Sequence, residues 1–160
     1  MSQNKKHLFL FTIGPVQSFI VQARKTRDLY SGSQILSDLI EFAIKKVGKE
    51  NIIFPYPQSE HIPNRFLAIV EKDKSELEAY GKSIENAVKG NFEEKAINIL
   101  NDKVGNYTDD FLDMYLKQIN QHLEVYWVFK PITTDDLFLL AQILKPQPQI
   151  PKPLCRVDKS

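Results

Sequence analysis

The chain has 160 residues, one domain's worth, and can bury a core without disulfide or metal support. Hydrophobic residues make up 42% and charged residues 26%, which suits a soluble globular protein and excludes a disordered or membrane one. With 21 basic and 20 acidic side chains the net charge is +1, so no global field points to nucleic acid or acidic lipid, and any phosphate-binding surface must be local. Cys155 is the only cysteine. That excludes an intrachain disulfide and a cysteine-rich zinc site within these residues and fits a reducing, cytoplasmic setting.

In chain order, "HLFLFTI" (His7 to Ile13) reads as a central strand buried on both faces. Its apolar run is too short for a signal sequence or a membrane span. Gly14 permits a tight turn and Pro15 suits a first helical position, after which Val16, Phe19, Ile20 and Ala23 recur at helical spacing. The helical pattern falters at Ser31 to Ser33, and a second helix is expected from Ser31, capped by Gln34, with Leu36, Leu39, Ile40, Ala43 and Val47 as its apolar face. "NIIFPY" (Asn51 to Tyr56) and "NRFLAIVE" (Asn64 to Glu71) read as a hairpin around the polar "PQSEHIP". Helical character resumes at Ser75, with Glu78 completing a capping box, and runs with breaks at "KGN" and "GNYT" to about Leu123.

"VYWVFKPI" (Val125 to Ile132) is an aromatic strand, and Thr134 with two aspartates opens a short helix, "LFLLAQIL". The proline-rich end resembles a linker. The expected organisation is a domain over 1–132, a terminal helix over 133–145 and a linker or truncated end over 146–160. The order strand, helix, strand, strand, helices, strand predicts an α+β, ferredoxin-like (βαββαβ) domain with an antiparallel sheet and helices on one face. That fold hosts palms, RNA-binding modules and metal carriers alike.

The strand–glycine–helix turn at Gly14 offers free backbone N–H groups and a positive dipole end, with Gln17 and Ser18 as further donors. Gln17, Val21, Arg24 and Asp28 lie along one helical line. An ordinary helix start with a solvated polar face explains the same residues. "YTDDF" imitates the paired-carboxylate turn of palm polymerases, but Thr108 reads as an N-cap and Asp109 and Asp110 as first-turn acids of a helix. Asp135 and Asp136 read the same way. His7, His61 and His122 have no ligand spacing. Phe9, Phe11, Phe66, Trp127 and Phe129 read as core, because no basic residues interleave them as an RNA-binding sheet would need.

"LFLFTIGPVQSFIVQARKTRDLYSGSQILSDL" resembles the start of the large, palm-containing subunit of type III-B CRISPR effector complexes. The similarity lies in Gly-Pro-Val-Gln, Phe-Ile, Ala-Arg-Lys-Thr-Arg-Asp-Leu, Gly-Ser and Leu-Ser, and continues in "IPNRFLAIV" (Ile62 to Val70) and "VYWVFKP". The resemblance implies the first palm domain only, without the HD nuclease, the Cys-X-X-Cys module or the second palm with its Gly-Gly-Asp-Asp. In that family the complete subunit makes cyclic oligoadenylates from ATP with Mg²⁺, and the first palm is degenerate and packs against the second. The implied role is therefore non-catalytic: one wall of an ATP cleft, and assembly in antiviral defence. Partners would be the second palm, neighbouring effector subunits and, indirectly, guide and target RNA, with no membrane.

Carried onto this chain, the resemblance places Gly14, Pro15, Gln17 and Ser18 at the cleft border. Arg24, Arg27, Asp28, Ser31 and Ser33 would line or brace it, with Asn64 and Arg65 as further candidates. Catalytic and metal residues are expected to be absent. The competing expectations are a free-standing ferredoxin-like RNA-binding module and a self-sufficient palm enzyme using Asp109 and Asp110.

Overall fold

The computed structural model describes residues 5–16, 25–56, 62–133 and 136. Among these residues, four strands and three α-helices follow one another as β1 (Lys5–Gly14), α1 (Thr26–Val47), β2 (Ile52–Phe54), β3 (Arg65–Lys72), α2 (Lys74–Lys103), α3 (Asp109–His122) and β4 (Glu124–Pro131), with a 3₁₀ turn at Lys49–Asn51 before β2. The sheet order is β2-β3-β1-β4, and every neighbouring pair is antiparallel. The expected α+β, ferredoxin-like arrangement is the one observed, with β1 central and β2 and β3 adjacent as a hairpin pair.

Alternation of side chains along the strands decides where the core sits. Phe9, Phe11 and Ile13 of β1 and Phe66, Ala68 and Val70 of β3 point to one face, where they meet Leu36, Leu39, Ile40 and Ala43 of α1 and Leu77, Ile84 and Val88 of α2. Aromatic rings knit this layer together: Phe9 stacks on Phe129 of β4 at 4.5 Å, and Phe11 on Phe66 at 5.1 Å. The aromatic residues expected in the core are there, with Trp127 and Phe129 half-buried against it. The expectation that β1 is buried on both faces is not met. Its other face carries Leu8, Leu10 and Thr12, and Leu10 is exposed beside the exposed Val128 of β4.

Helix boundaries bring further corrections. Ser31 to Ser33 lies inside α1 rather than between two helices, because the Ser31 hydroxyl donates back to the Arg27 carbonyl at 3.0 Å and the buried stripe from Leu36 to Val47 holds the helix on the core. The helix ends at Gly48, whose φ of 99° suits glycine and whose N–H donates to the Ile44 carbonyl at 3.0 Å. Helix α2 is continuous through "KGN", since Val88 and Phe92 are buried on either side of Gly90. Its N-cap is Asp73, which places Ser75 within the first turn instead of at the cap. The break at "GNYT" is real, and Thr108 caps α3 by accepting from the Phe111 N–H at 3.3 Å, with Asp109 and Asp110 in the first turn as expected.

At the end of β4 a reciprocal cap pairs Thr133 with Asp136: the Thr133 N–H donates to the Asp136 carboxylate at 3.1 Å and the Asp136 N–H donates to the Thr133 hydroxyl at 3.3 Å, while the expected start at Thr134 lies outside the described residues. The expected helical line through Gln17 to Arg24, most of the hairpin tip and the bulk of the terminal helix lie outside the described residues. No helix among the described residues is long and apolar enough to cross a membrane.

Candidate functional site

The carboxyl end of β1 is clamped by the residue that leads into β3. Ile13 donates its N–H to the Asn64 carbonyl at 2.9 Å, and the Asn64 side-chain amide donates to the Ile13 carbonyl at 3.0 Å. The Thr12 hydroxyl also reaches the Asn64 carbonyl at 3.3 Å. A side-chain amide that closes a ring with a backbone peptide in this way replaces the ladder bonds a strand would otherwise supply. Beside this clamp, Ser37 of α1 donates to the Ile62 carbonyl at 3.0 Å and ties the 62–64 segment to the helix.

Between them opens a cleft of about 550 Å³, lined by Val16, Thr26, Leu29, Tyr30, Ser33, Leu36, Ser37, Ile62, Pro63 and Asn64. The lining is mostly apolar, and Thr26, Tyr30 and Ser33 of α1 contribute hydroxyl-bearing residues to it. Tyr30 is 70% exposed, an open aromatic surface on that wall. Charge stands outside the lining: Lys25 and Arg27 are exposed at the amino end of α1, where the helix dipole is also positive.

The predicted residues divide around this cleft. Ser33 and Asn64 line it. Gly14 ends β1 with φ outside the left-handed region, and among the described residues a Cβ built there would meet the Val16 nitrogen at 3.9 Å, an ordinary contact. Pro15 is half-buried next to it. Asp28 accepts from the Lys25 N–H at 3.2 Å, which makes it a helix cap, and Ser31 is turned back onto its own helix. Arg27 is exposed at the helix start. Arg65 pairs with Thr12 in the register and so projects from the opposite face of the sheet, away from the cleft. Gln17, Ser18 and Arg24 lie outside the described residues.

The cleft contributors that sequence reasoning passed over are Thr26, Tyr30 and Ser37. With Ser33 they recur at helical spacing, and Tyr30 is an aromatic residue in a polar run, which was the available signal.

Chemically, the lining among the described residues offers apolar side chains, hydroxyl-bearing residues and an aromatic face. No group of His, Cys, Asp or Glu suited to a metal ion is found among the described residues. A larger hollow of about 1010 Å³ opens at the other end of β1, near Lys5, His7, Lys74 and Pro131, and none of the predicted residues lines it.

Among solved structures, the chain is similar to a Csm1–Csm4 cassette in complex with AMPPNP, at 12% identity and a TM-score of 0.45, covering 82% of this chain and 15% of that one. It is also similar to Csm1 from T. onnurineus (12% identity, TM-score 0.46, 89% and 19% covered) and to a Csm1–Csm4 cassette in complex with cA4 (12%, 0.45, 89% and 18%). The chain thus spans less than a fifth of the length of these structures. Among curated proteins, no relative matches. The family described as CRISPR-associated protein Cmr2, N-terminal, matches residues 8–100, a stretch that holds most of β1, the clamp at Asn64 and all of α1. More than half of the sequence falls within that match, and the chain belongs to this CRISPR-associated family.

Proposed function

We propose that residues 1–132 form the non-catalytic first palm domain of a type III-B effector large subunit and supply one wall of an ATP cleft that a second palm completes. The observation that carries this reading is the coincidence of the family match with the cleft: the matched residues 8–100 include every residue of its lining. The lining suits a nucleotide, with Tyr30 and the apolar side chains for a base and the hydroxyls of Thr26 and Ser33 for polar edges. Gly14, Pro15, Gln17 and Ser18 border the cleft at the turn, while Lys25, Arg24 and Arg27 bring positive charge near the phosphates. Asp28, Ser31 and Arg65 act by bracing helix and sheet.

Metal-binding carboxylates for Mg²⁺ would come from the partner palm, and so would the chemistry of oligoadenylate synthesis. Neighbouring subunits and, indirectly, guide and target RNA complete the assembly. The chain acts in antiviral defence as a structural half of a nucleotide site.

Ser33→Trp tests this in the complete large subunit. Ser33 is an exposed helical position, so the indole fills the cleft without disturbing the core. The expected result is an ATP dissociation constant raised by about tenfold or more, with oligoadenylate synthesis falling in parallel and the melting temperature unchanged. Unaltered ATP affinity in a folded variant refutes the assignment of the cleft. The 160-residue chain alone, incubated with ATP and Mg²⁺, is expected to make no oligoadenylate, and robust synthesis by it refutes the non-catalytic reading.

A further inference from the structure

The hollow at the amino end of β1 combines unpaired charge, an open helix start and an apolar wall. Lys5 and His7 share the face of β1 that carries Phe9, and the start of α2 brings Lys74, Ser75 and Leu77 against them. Phe129 and Pro131 of β4 complete a space of about 1010 Å³. Lys5 stands directly opposite Lys72 in the register, a like-charge pairing that weakens a sheet unless something offsets it. The Lys72 ammonium lies 4.8 Å from the Tyr80 ring centroid. Neither Lys5 nor Lys74 has an ion-pair partner among the described residues.

The start of α2 lacks the side-chain cap such a helix usually has. Asp73 is the N-cap residue of this 30-residue helix, but its side chain makes no cap hydrogen bond, and its own interactions lie elsewhere. Its carbonyl accepts from the Glu76 N–H at 2.9 Å. The N–H groups of Lys74 and Ser75 have no acceptor among the described residues. Free N–H groups at the positive end of a helix dipole suit an anion. A helix start alone would not single out a ligand, but His7 adds an independent observation. It is 3% exposed, it lines the same hollow, and its Nδ1 has no hydrogen-bond partner among the described residues. A buried nitrogen without a partner destabilises a fold, whereas the rings of Phe9 and Phe11 further along the strand carry no such penalty.

We propose that this hollow binds a small phosphate monoester, at the end of β1 opposite to the cleft. The phosphate takes the Lys74 and Ser75 N–H groups and the Ser75 hydroxyl, with the Lys5 and Lys74 ammoniums as counter-charges. The His7 ring stands behind it as a further N–H donor, and a half-turn about Cβ–Cγ changes which ring edge faces the hollow. The flat or apolar body of the ester lies on Phe129, Leu77 and Pro131. Asp73 is the one carboxylate among the described lining residues, and the two ammoniums outweigh it. The volume calls for such a body: small-molecule sites span about 300–1,000 Å³, and this hollow far exceeds what a bare phosphate fills. Lys5, His7, Phe129 and Pro131 lie outside the stretch 8–100 that matches the family, and the proposal does not depend on the nucleotide reading of the cleft.

Titration of the 160-residue chain with phenyl phosphate and with inorganic phosphate, followed by amide and imidazole NMR shifts, tests it. Phenyl phosphate is expected to shift the amides of Lys74, Ser75 and Glu76 and the His7 ring, and to bind about tenfold more tightly than inorganic phosphate. Lys5→Gln and Lys74→Gln, both at exposed positions, are each expected to weaken it by about threefold or more, with no loss of melting temperature in the unliganded chain. His7→Phe keeps the ring and removes its nitrogens, and is expected to raise the unliganded melting temperature while weakening phenyl phosphate. Shifts centred on Tyr30 and Ser33 instead overturn the proposal. Affinity indifferent to both lysine variants also overturns it, as an adventitious ion only. Equal affinity for the two probes overturns the monoester in favour of a site for free phosphate. A His7→Phe chain that is less stable and binds as well overturns the site by making His7 a packing residue.

Discussion

Gly81 and Gly90 sit in the same helix and meet opposite surroundings. A Cβ at Gly81 would fall 2.7 Å from ring carbons of Trp127, whereas one at Gly90 would meet nothing within 4 Å. The indole cannot simply withdraw, because its Nε1–H donates to the Glu85 carboxylate at 3.1 Å. Gly81→Ala is therefore expected to lose roughly 1–2 kcal/mol, overpacking outweighing the better helix propensity of alanine. Gly90→Ala is expected to gain about 0.5–1 kcal/mol, because only the propensity acts there. Urea unfolding midpoints at unchanged slope check both signs.

Glu85 itself is a nearly buried carboxylate at the junction of α2 with β4. Burial pushes its pKa up, but hydrogen bonds from Lys89, Trp127 and Lys82 and the charge of Lys89 outweigh that and hold it at about 2, below the ordinary 4.5. A depressed carboxylate stabilises the fold above its unfolded pKa, and the contribution fades as pH falls from about 4.5 toward 2. Thermal unfolding is expected to drop across that window by an amount on the order of 2 kcal/mol from this group, and Glu85→Gln is expected to remove that share of the slope.

At the scale of elements, the strands were legible in the sequence and the helix punctuation only in part: the break before Thr108 was read correctly and those at Ser31–Ser33 and Gly90 were not. Phe9, Phe11, Phe66 and Phe129 announce strands by type and spacing, and the sheet order follows from the alternation of elements. Glycine and serine were read as breaks at Ser31–Ser33 and at Gly90. Yet a penalty of about 1 kcal/mol per glycine is small beside the burial of Leu36, Leu39 and Ile40 or of Val88 and Phe92. Two-sided burial of β1 was misjudged for a related reason: an unbroken apolar run does not say whether both faces have partners within the described chain.

Of the candidate site, Gly14 was named from the strand–glycine–helix pattern, and Ser33 and Asn64 only through the family resemblance. The clamp between Asn64 and Ile13 was not, since it joins residues 51 positions apart through a side chain. Tyr30 and Ser37 were hidden by the apparent helix break, which concealed that they share one helical wall with Ser33.

For the whole molecule, the sheet order has a consequence for assembly in time. β1 is the first strand of the chain, yet it lies between β3 and β4, with Phe9 opposite Ala68 on one side and Phe129 on the other. Its second edge stays unpaired until β4 arrives. Folding must close a loop nearly as long as the described chain before the aromatic layer is complete, and contacts of such separation slow the search. A chain ending at Leu123 is expected to leave that edge open, to lose its cooperative thermal transition and to self-associate, as size-exclusion and light scattering would show. A soluble, cooperatively folded fragment would refute this. The matched stretch 8–100 ends before β4 begins. Emerging from a ribosome, the segment that carries the family's signature would thus wait with half of its central strand unmet, and its earliest hazard would be a neighbouring nascent chain.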